Sequence, residues 1–175
     1  LERRGWKVTR VPADEFGRVS VEDVQSAITP ETVLVTVMHA NNEIGTMQPI
    51  AEISKLTRPR NIFLHTDAAQ SAGKVPCDVS ELGVDFLSLA GHKLYAPKGI
   101  GVLYCRRGCK FEPLIHGAGH EGARRAGTEN LLEIVGMGVA CELARQKMQQ
   151  GKTTHLIEMR DRLQRGLEER GLDFR

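Results

Sequence analysis

The stretch that decides the fold runs from Val84 to Gly101 and reads VDFLSLAGHKLYAPKGIG. Its first part, Asp85–Ala90, is mainly apolar and lies between two glycines, which predicts a short buried strand. The chain then enters a turn through Gly91–Lys93, and Pro97 and Gly99 argue against a helix beginning there. This order places a lysine amine at the end of a rigid strand, facing a cleft.

Lys93 is therefore the first candidate for chemistry. Desolvation in a cleft favours the neutral, nucleophilic form of a lysine amine, which the formation of a Schiff base requires. An ordinary surface loop with two lysines is the alternative interpretation of the same residues. The segments before and after this stretch decide between the two.

The composition is typical of a folded globular protein: 175 residues, of which 41% are hydrophobic and 26% charged. The formal net charge of +2 does not favour nucleic acid or an anionic membrane surface as a partner. No apolar run has the length of a membrane span, and the first residues, Leu1–Arg4, are not a signal peptide. Because the chain does not begin with Met, we expect the middle of a longer protein.

The four cysteines predict reduced thiols in a cytoplasmic protein. They form no CxxC pair and no disulfide framework: Cys77, Cys105, Cys109 and Cys141. His116 and His120 have the spacing of a zinc pair on a helix, but the glycines between them disfavour a helix. No metal site is predicted.

Strand and helix patterns alternate along the chain. Strands are predicted at Trp6–Val11, Val33–Met38, Ile62–His65, Val84–Ala90 and Ile100–Cys105. Helices are predicted to begin after a capping box at Ser20–Asp23, at Pro49 and at Asn130, and the last helix spans Lys152–Arg170. This alternation predicts an α/β domain with a mostly parallel sheet flanked by helices.

Apolar patterns predict which surfaces are buried. The continuous β-branched run Val33–Met38 is typical of a strand covered on both faces. Two helical stripes are expected to be core: Leu132, Val135, Val139 and Leu143 on the first of the last two helices, and Leu156, Met159, Leu163 and Leu167 on the second.

Polar side chains follow three successive predicted strands, where α/β sheets bind their ligands. Asn42 follows the first of these strands, Asp67 and Gln70 the second, and His92 and Lys93 the third. Turn and cap roles are the alternative for the first three residues. A carboxylate beside a lysine amine suits pyridoxal phosphate (PLP), because the acid keeps the ring nitrogen protonated while the amine binds the aldehyde.

Four motifs closely resemble those of the cysteine desulfurases and selenocysteine lyases, class V members of the fold-type I PLP enzymes. They are HANNEIG from His39, HTDAAQS from His65, AGHKLYAPKG from Ala90 and RAGTEN from Arg125. The resemblance covers nearly the whole chain. It implies the large domain of the fold-type I PLP-dependent transferase fold and, for the whole enzyme, conversion of L-cysteine to L-alanine with sulfur transfer to an enzyme cysteine.

The resemblance also assigns site residues. Lys93 matches the Schiff-base lysine and Asp67 the partner of the ring nitrogen, and the other matches to cofactor contacts are Asn42, Gln70, Ala90, Gly91, His92 and Thr128. Thr128 matches a threonine that reaches the cofactor phosphate of the other subunit, which implies a homodimer. Many relatives have a phosphate-binding serine where this chain has Ala90, and that loss would cost about 1.5–3 kcal/mol of cofactor binding if nothing replaces it.

The resemblance suggests that residues 1–150 are a PLP-binding large domain lacking its N-terminal part, and that residues 151–175 lead towards a missing small domain. The family's stacking histidine, mobile cysteine and carboxylate-binding arginine have no counterpart here. A selenocysteine lyase and a non-catalytic PLP-domain fragment therefore stay open. The sulfur acceptor, whether for iron–sulfur assembly or another pathway, is also open.

A glycine motif offers a different interpretation. Gly117–Gly122 fits GxGxxG, and Glu142 follows at the spacing of a dinucleotide fingerprint. However, no helix is expected at these glycines, and Glu142 falls within a predicted helix rather than at a strand end. A dinucleotide-binding enzyme is therefore not favoured.

We predict that the 175-residue chain alone does not desulfurate L-cysteine. The reaction requires a thiolate that reaches the substrate, and no cysteine follows the strand ends that build the predicted site. Alanine and sulfide release should equal the slow reaction of free PLP with L-cysteine. Saturable turnover that Lys93→Ala abolishes would contradict this prediction.

Overall fold

A computed structural model describes residues 1–151 and 154–172, in which four strands form one sheet. The strands lie side by side in chain order: β1 (Leu34–Met38), β2 (Phe63–Asp67), β3 (Phe86–Ala90) and β4 (Gly101–Cys105). The first three are parallel, and β4 runs antiparallel to β3. The predicted α/β class with a mostly parallel sheet is confirmed.

The helices of the described residues are α1 (Val21–Ala27), α2 (Ile50–Thr57), α3 (Val79–Leu82), α4 (His120–Ala123), α5 (Leu131–Gln149) and α6 (Thr154–Glu168). The predicted cap of α1 is present, because Ser20 Oγ accepts a hydrogen bond from the Asp23 amide at 2.9 Å. Asn130 precedes α5 as predicted, but its side chain makes no capping hydrogen bond. Lys152, the predicted start of the last helix, lies outside the described residues, as do residues 173–175.

The predicted first strand, Trp6–Val11, is wrong. The segment is not paired with any strand of the described residues, and Trp6 and Val8 are exposed. Its residue types suit a strand, but a strand also needs a neighbour to share backbone hydrogen bonds. Among the described residues, no strand shares such hydrogen bonds with this segment.

The main core lies on one face of the sheet, under α1 and α2. Its fully packed members are Val24, Ile50, Ile53, Leu64, Ala68, Val84 and Leu87. The opposite face is more open: Leu34 and Thr36 on β1 are exposed. The prediction that Val33–Met38 is buried on both faces is therefore wrong, because only the face that carries Val35 and Val37 meets the core.

A second, smaller core joins α5 to the turn after β3. Leu94 and Ala96 of this turn are buried against Met137 and Ala140 of the helix. A Cβ atom at Gly136 would lie 2.8 Å from ring atoms of Pro97, so a glycine is required for the helix to approach the turn. This packing supports the segment that carries Lys93.

The two helical stripes expected in the core are exposed instead. On α5 and α6, Leu132, Val135, Val139, Leu143, Leu156, Met159 and Leu163 are exposed, and Leu167 is half-buried. The inner face of α5 uses smaller residues such as Ala140, together with Met137. The stripes correctly indicate helices, but periodicity does not reveal which face another part of a protein covers.

Asp85 ties three strands together at the end of the sheet where β3 begins. Its Oδ2 accepts the Leu64 amide at 2.8 Å, and its Oδ1 accepts Arg106 Nε at 2.7 Å. Its backbone bonds both to Leu64 and to Arg106. Asp85 is buried, so these bonds replace the water that the carboxylate loses on folding.

We predict that Asp85→Ala lowers the free energy of unfolding of the full-length protein by about 2–3 kcal/mol, because it leaves the Leu64 amide without its charged acceptor. Urea unfolding measures this loss. The control is Glu142→Ala, which breaks an exposed ion pair with Arg145 and should change stability little. Equal losses in the two variants would contradict the role of Asp85.

Candidate active site

All the predicted site residues except Thr128 lie at the ends of three strands, or on the segments that follow them, at one edge of the sheet. Since β1, β2 and β3 are parallel, their carboxyl ends meet at this edge. Asn42 lies in the loop after β1, Asp67 is the last residue of β2, and Ala90 is the last residue of β3. Lys93 follows directly in the turn after β3.

Backbone hydrogen bonds connect these strand ends beyond the strands themselves. The His39 amide donates to the Asp67 carbonyl at 2.8 Å, and the Ala68 amide donates to the Ser88 carbonyl at 3.0 Å. The segments after β1 and β2 therefore leave the sheet in a fixed relation to their neighbours.

Asp67 is half-buried and has one carboxylate oxygen available. Its Oδ1 accepts the Ala69 amide at 2.8 Å, which is the turn role that the sequence also allowed. No hydrogen bond to Oδ2 occurs among the described residues. Asp67 can thus shape its own turn and still offer an acceptor to a ligand.

The two asparagines after β1 have different environments. Asn41 Oδ1 accepts the amides of Glu43 and Ile44 at 2.8 and 3.0 Å, so this residue shapes the turn. The neighbouring Asn42 is exposed, and its side chain has no hydrogen bond within the described part of the chain. Among residues 1–151 and 154–172, the Gln70 side chain accepts one long hydrogen bond, 3.5 Å, from Lys74 Nζ.

The turn after β3 is one turn of 3-10 helix, Gly91–Leu94, which the sequence interpretation did not expect. It ends at Tyr95, whose φ of 63° is left-handed. Lys93 is half-buried, and its amine has no hydrogen bond or ion pair with the described residues. His92 beside it is exposed.

Gly91 has a packing role in addition to any ligand contact. Its amide donates to the Ile100 carbonyl at 3.0 Å, and a Cβ atom here would lie 2.6 Å from Ile100 Cγ2. The Gly91 amide is therefore already satisfied within the protein. The adjacent Ala90 offers no side-chain donor.

Thr128 stands apart from the other candidates. It is exposed in the segment between α4 and α5. No hydrogen bond connects it to another predicted site residue within residues 1–151 and 154–172.

His39, which sequence reasoning did not assign, lies buried behind the site. Its Nδ1 is 2.9 Å from Ser71 Oγ, and Ser71 also donates to the Ala68 carbonyl at 3.3 Å. The Cys77 thiol lies against both side chains, at 3.6 and 3.5 Å. The position of His39 at the start of HANNEIG was the sequence signal for such a role, because a histidine at the end of a buried strand needs a hydrogen-bond partner.

Residues 1–172 match the family model described as aminotransferase class-V. The chain belongs to the class-V aminotransferase family. Members of this family are PLP enzymes.

Comparison with individual proteins shows a more specific similarity than the family model does. The chain is 52% identical over 170 residues to cysteine desulfurase IscS of Clostridium botulinum, covering 97% of this chain and 43% of that protein. A structure titled NifS-like protein matches with a TM-score of 0.90 at 38% identity, over 96% of this chain and 46% of that one. A structure of SspA in complex with cysteine matches with a TM-score of 0.78 at 47% identity, over 81% and 41% of the two chains. The chain thus spans less than half the length of these relatives.

Burial affects three of the four thiols of this class-V chain, and the fourth, Cys105, lies at the far end of the sheet from Lys93. Burial raises the pKa of the Cys77, Cys109 and Cys141 thiols, which disfavours the nucleophilic thiolate. Cys105 ends β4 beside Phe86, at the opposite end of the sheet from Lys93. None is placed as the attacking thiol.

The two alternative motifs can also be located in the structure. No group of three or more metal-binding side chains occurs among the described residues. The glycine motif follows no strand directly, its Glu121 and Gly122 have left-handed φ values, and Glu142 pairs with Arg145 on α5. In the part of the chain that the structure describes, no helix is long and apolar enough to cross a membrane.

We predict that buried His39 makes the protein sensitive to mild acid. Burial lowers its pKa, so the unfolded chain takes up a proton that the folded state resists. The associated stability is present above about pH 6.5, the ordinary value for histidine, and is lost as the pH falls towards the lowered pKa.

Urea unfolding at about pH 7.5 and about pH 5.5 measures the effect in the full-length protein. The loss of stability on acidification should be smaller in His39→Gln. The control His116→Gln, at an exposed histidine, should retain the sensitivity of the wild type. Identical pH dependence in wild type and His39→Gln would contradict the prediction.

Proposed function

We propose that the full-length protein is a PLP-dependent cysteine desulfurase, and that residues 1–150 belong to its PLP-binding large domain. The main support is the common edge where Asp67 and Lys93 lie, each with a group that has no partner among the described residues. The similarity to cysteine desulfurase IscS points to L-cysteine as the substrate. L-alanine would be the product, with sulfur passing to a cysteine outside these residues.

The side chains at this edge fit the chemistry of PLP. Lys93 would hold the aldehyde carbon covalently, and Asp67 would keep a proton on the ring nitrogen through its available Oδ2. Asn42 and Gln70 would contact the phenolic oxygen, and His92 would contact the phosphate. When bound, PLP supplies an electron sink for bond cleavage at the substrate.

Lys93 would also transfer protons to and from the substrate. Its half-buried amine stands on a turn packed by Leu94 and Ala96, so it has a limited range of positions. An amine held in this way can accept a proton at the substrate carbon and return one to the product. Ala90 contributes no hydroxyl, so we expect phosphate binding to depend more strongly on His92.

Partners and location extend the same proposal. Exposed Thr128, which has no hydrogen bond to the other candidate site residues within the described part of the chain, would serve the phosphate site of a second subunit in a homodimer. A sulfur-acceptor protein would take the sulfur from the enzyme. A cytoplasmic location stays a prediction.

We predict that Lys93 carries the cofactor. After addition of PLP to the full-length protein, borohydride reduction should trap the adduct, and mass spectrometry should map it to the peptide containing Lys93. Lys93→Ala should abolish this adduct. Lys98→Ala, which changes an exposed lysine in the same loop, should retain it.

Labelling spread over surface lysines, or an adduct that survives Lys93→Ala, would contradict the assignment. Sulfide and alanine formation from L-cysteine then tests the reaction itself. A strong preference for L-selenocysteine over L-cysteine would instead identify a selenocysteine lyase.

A further inference from the structure

A hydrogen-bonded row of three side chains crosses the open face of the sheet beside Asp67. Thr36 Oγ1 on β1 is 2.7 Å from Nδ1 of His65 on β2. The other ring nitrogen, Nε2, is 2.9 Å from Ser88 Oγ on β3. Both nitrogens of His65 are thus engaged, and the row links all three parallel strands.

The strand register directs this row towards the site. Thr36 and His65 are paired residues on neighbouring strands, whereas Ser88 is paired with Asp67. The bond from His65 to Ser88 is therefore diagonal and leads one step nearer to the carboxyl edge. His65 and Asp67 are two residues apart on β2, so their side chains lie on the same face.

The nearby Asp67 carboxylate favours one direction of hydrogen-bond donation along the row. Burial lowers the pKa of His65 and Asp67 raises it to a smaller extent, which favours the neutral ring, in which one nitrogen donates and the other accepts. If Thr36 donates to Nδ1 and Nε2 donates to Ser88, the Ser88 hydroxyl hydrogen can turn towards the Asp67 carboxylate. No hydrogen bond joins Ser88 Oγ to the Asp67 carboxylate among the described residues, so the hydroxyl dipole acts on the carboxylate through space, and this direction of donation is the electrostatically favourable one.

On the basis of the proposed function, in which Asp67 faces the ring nitrogen of the cofactor, we propose that His65 is a positioning residue for Asp67. The row from Thr36 through His65 to Ser88 holds β2 and β3 in register below the site. It thereby fixes the direction of the Asp67 carboxylate relative to the turn that carries Lys93. His65 acts through Ser88 and Asp67 and touches no reacting atom.

His65→Phe in the full-length holoenzyme tests this role, because it keeps a ring of similar size and removes both hydrogen bonds. We expect kcat for L-cysteine to fall about tenfold or more, as for loss of a hydrogen bond that supports a charged group. KM should change little, and the visible absorption band of bound PLP should shift. His65→Gln, which keeps a donor and an acceptor, should partly restore kcat and the band.

Thr36→Val and Ser88→Ala each remove one bond of the row and test it even if His65→Phe does not fold. Both should shift the absorption band in the same direction. The matched control is Thr66→Val, next to His65 but on the opposite face of β2, where the hydroxyl donates to the Val37 carbonyl at 2.8 Å. This variant should lose stability while keeping the wild-type band and kcat.

Wild-type spectra and kcat in the His65, Thr36 and Ser88 variants would overturn the role of His65. An equal change in Thr66→Val would also overturn it, because the effect would then be a general loss of stability. If the wild type itself forms no Lys93 adduct with PLP, the proposed function fails first, and the role of His65 fails with it.

Discussion

The carboxylate of Asp85 is the contact on which the sheet most depends. It receives the amide of Leu64 and the guanidinium of Arg106, and so joins the start of β2, the start of β3 and the end of β4. A buried carboxylate without these donors would be strongly unfavourable. Because the strands are held at this end, their opposite ends emerge in register, and that edge carries Asp67 and Lys93.

Two hydrophobic cores support the sheet and the turn that carries Lys93. The main core, under α1 and α2, keeps the sheet covered on one face. The smaller core packs α5 against the turn after β3, where the buried residues Leu94 and Ala96 come shortly after Lys93. A candidate catalytic amine thus stands on a strand end and a packed turn, and such rigid support limits the entropy lost when a ligand binds.

Much of this arrangement could be predicted from local sequence. The apolar run before Gly91 predicts β3 within two residues of its true start, and Ser20 predicts the start of α1. Asp67 was predicted to follow its strand, whereas it is the strand's last residue. Such differences are small because a strand ends where pairing with its neighbour ends, which the sequence of one strand does not specify.

The sequence by itself determined the places of four of the five predicted strands, the class of fold and the polar residues at or near the strand ends. It did so because side-chain periodicity and turn residues act over a few positions. Only the tertiary structure decided that Trp6–Val11 is unpaired, that the stripes of α5 and α6 are exposed, and that His65 bonds to two other strands. These properties depend on which distant segments become neighbours, and a local pattern carries no information about the surface that it will meet.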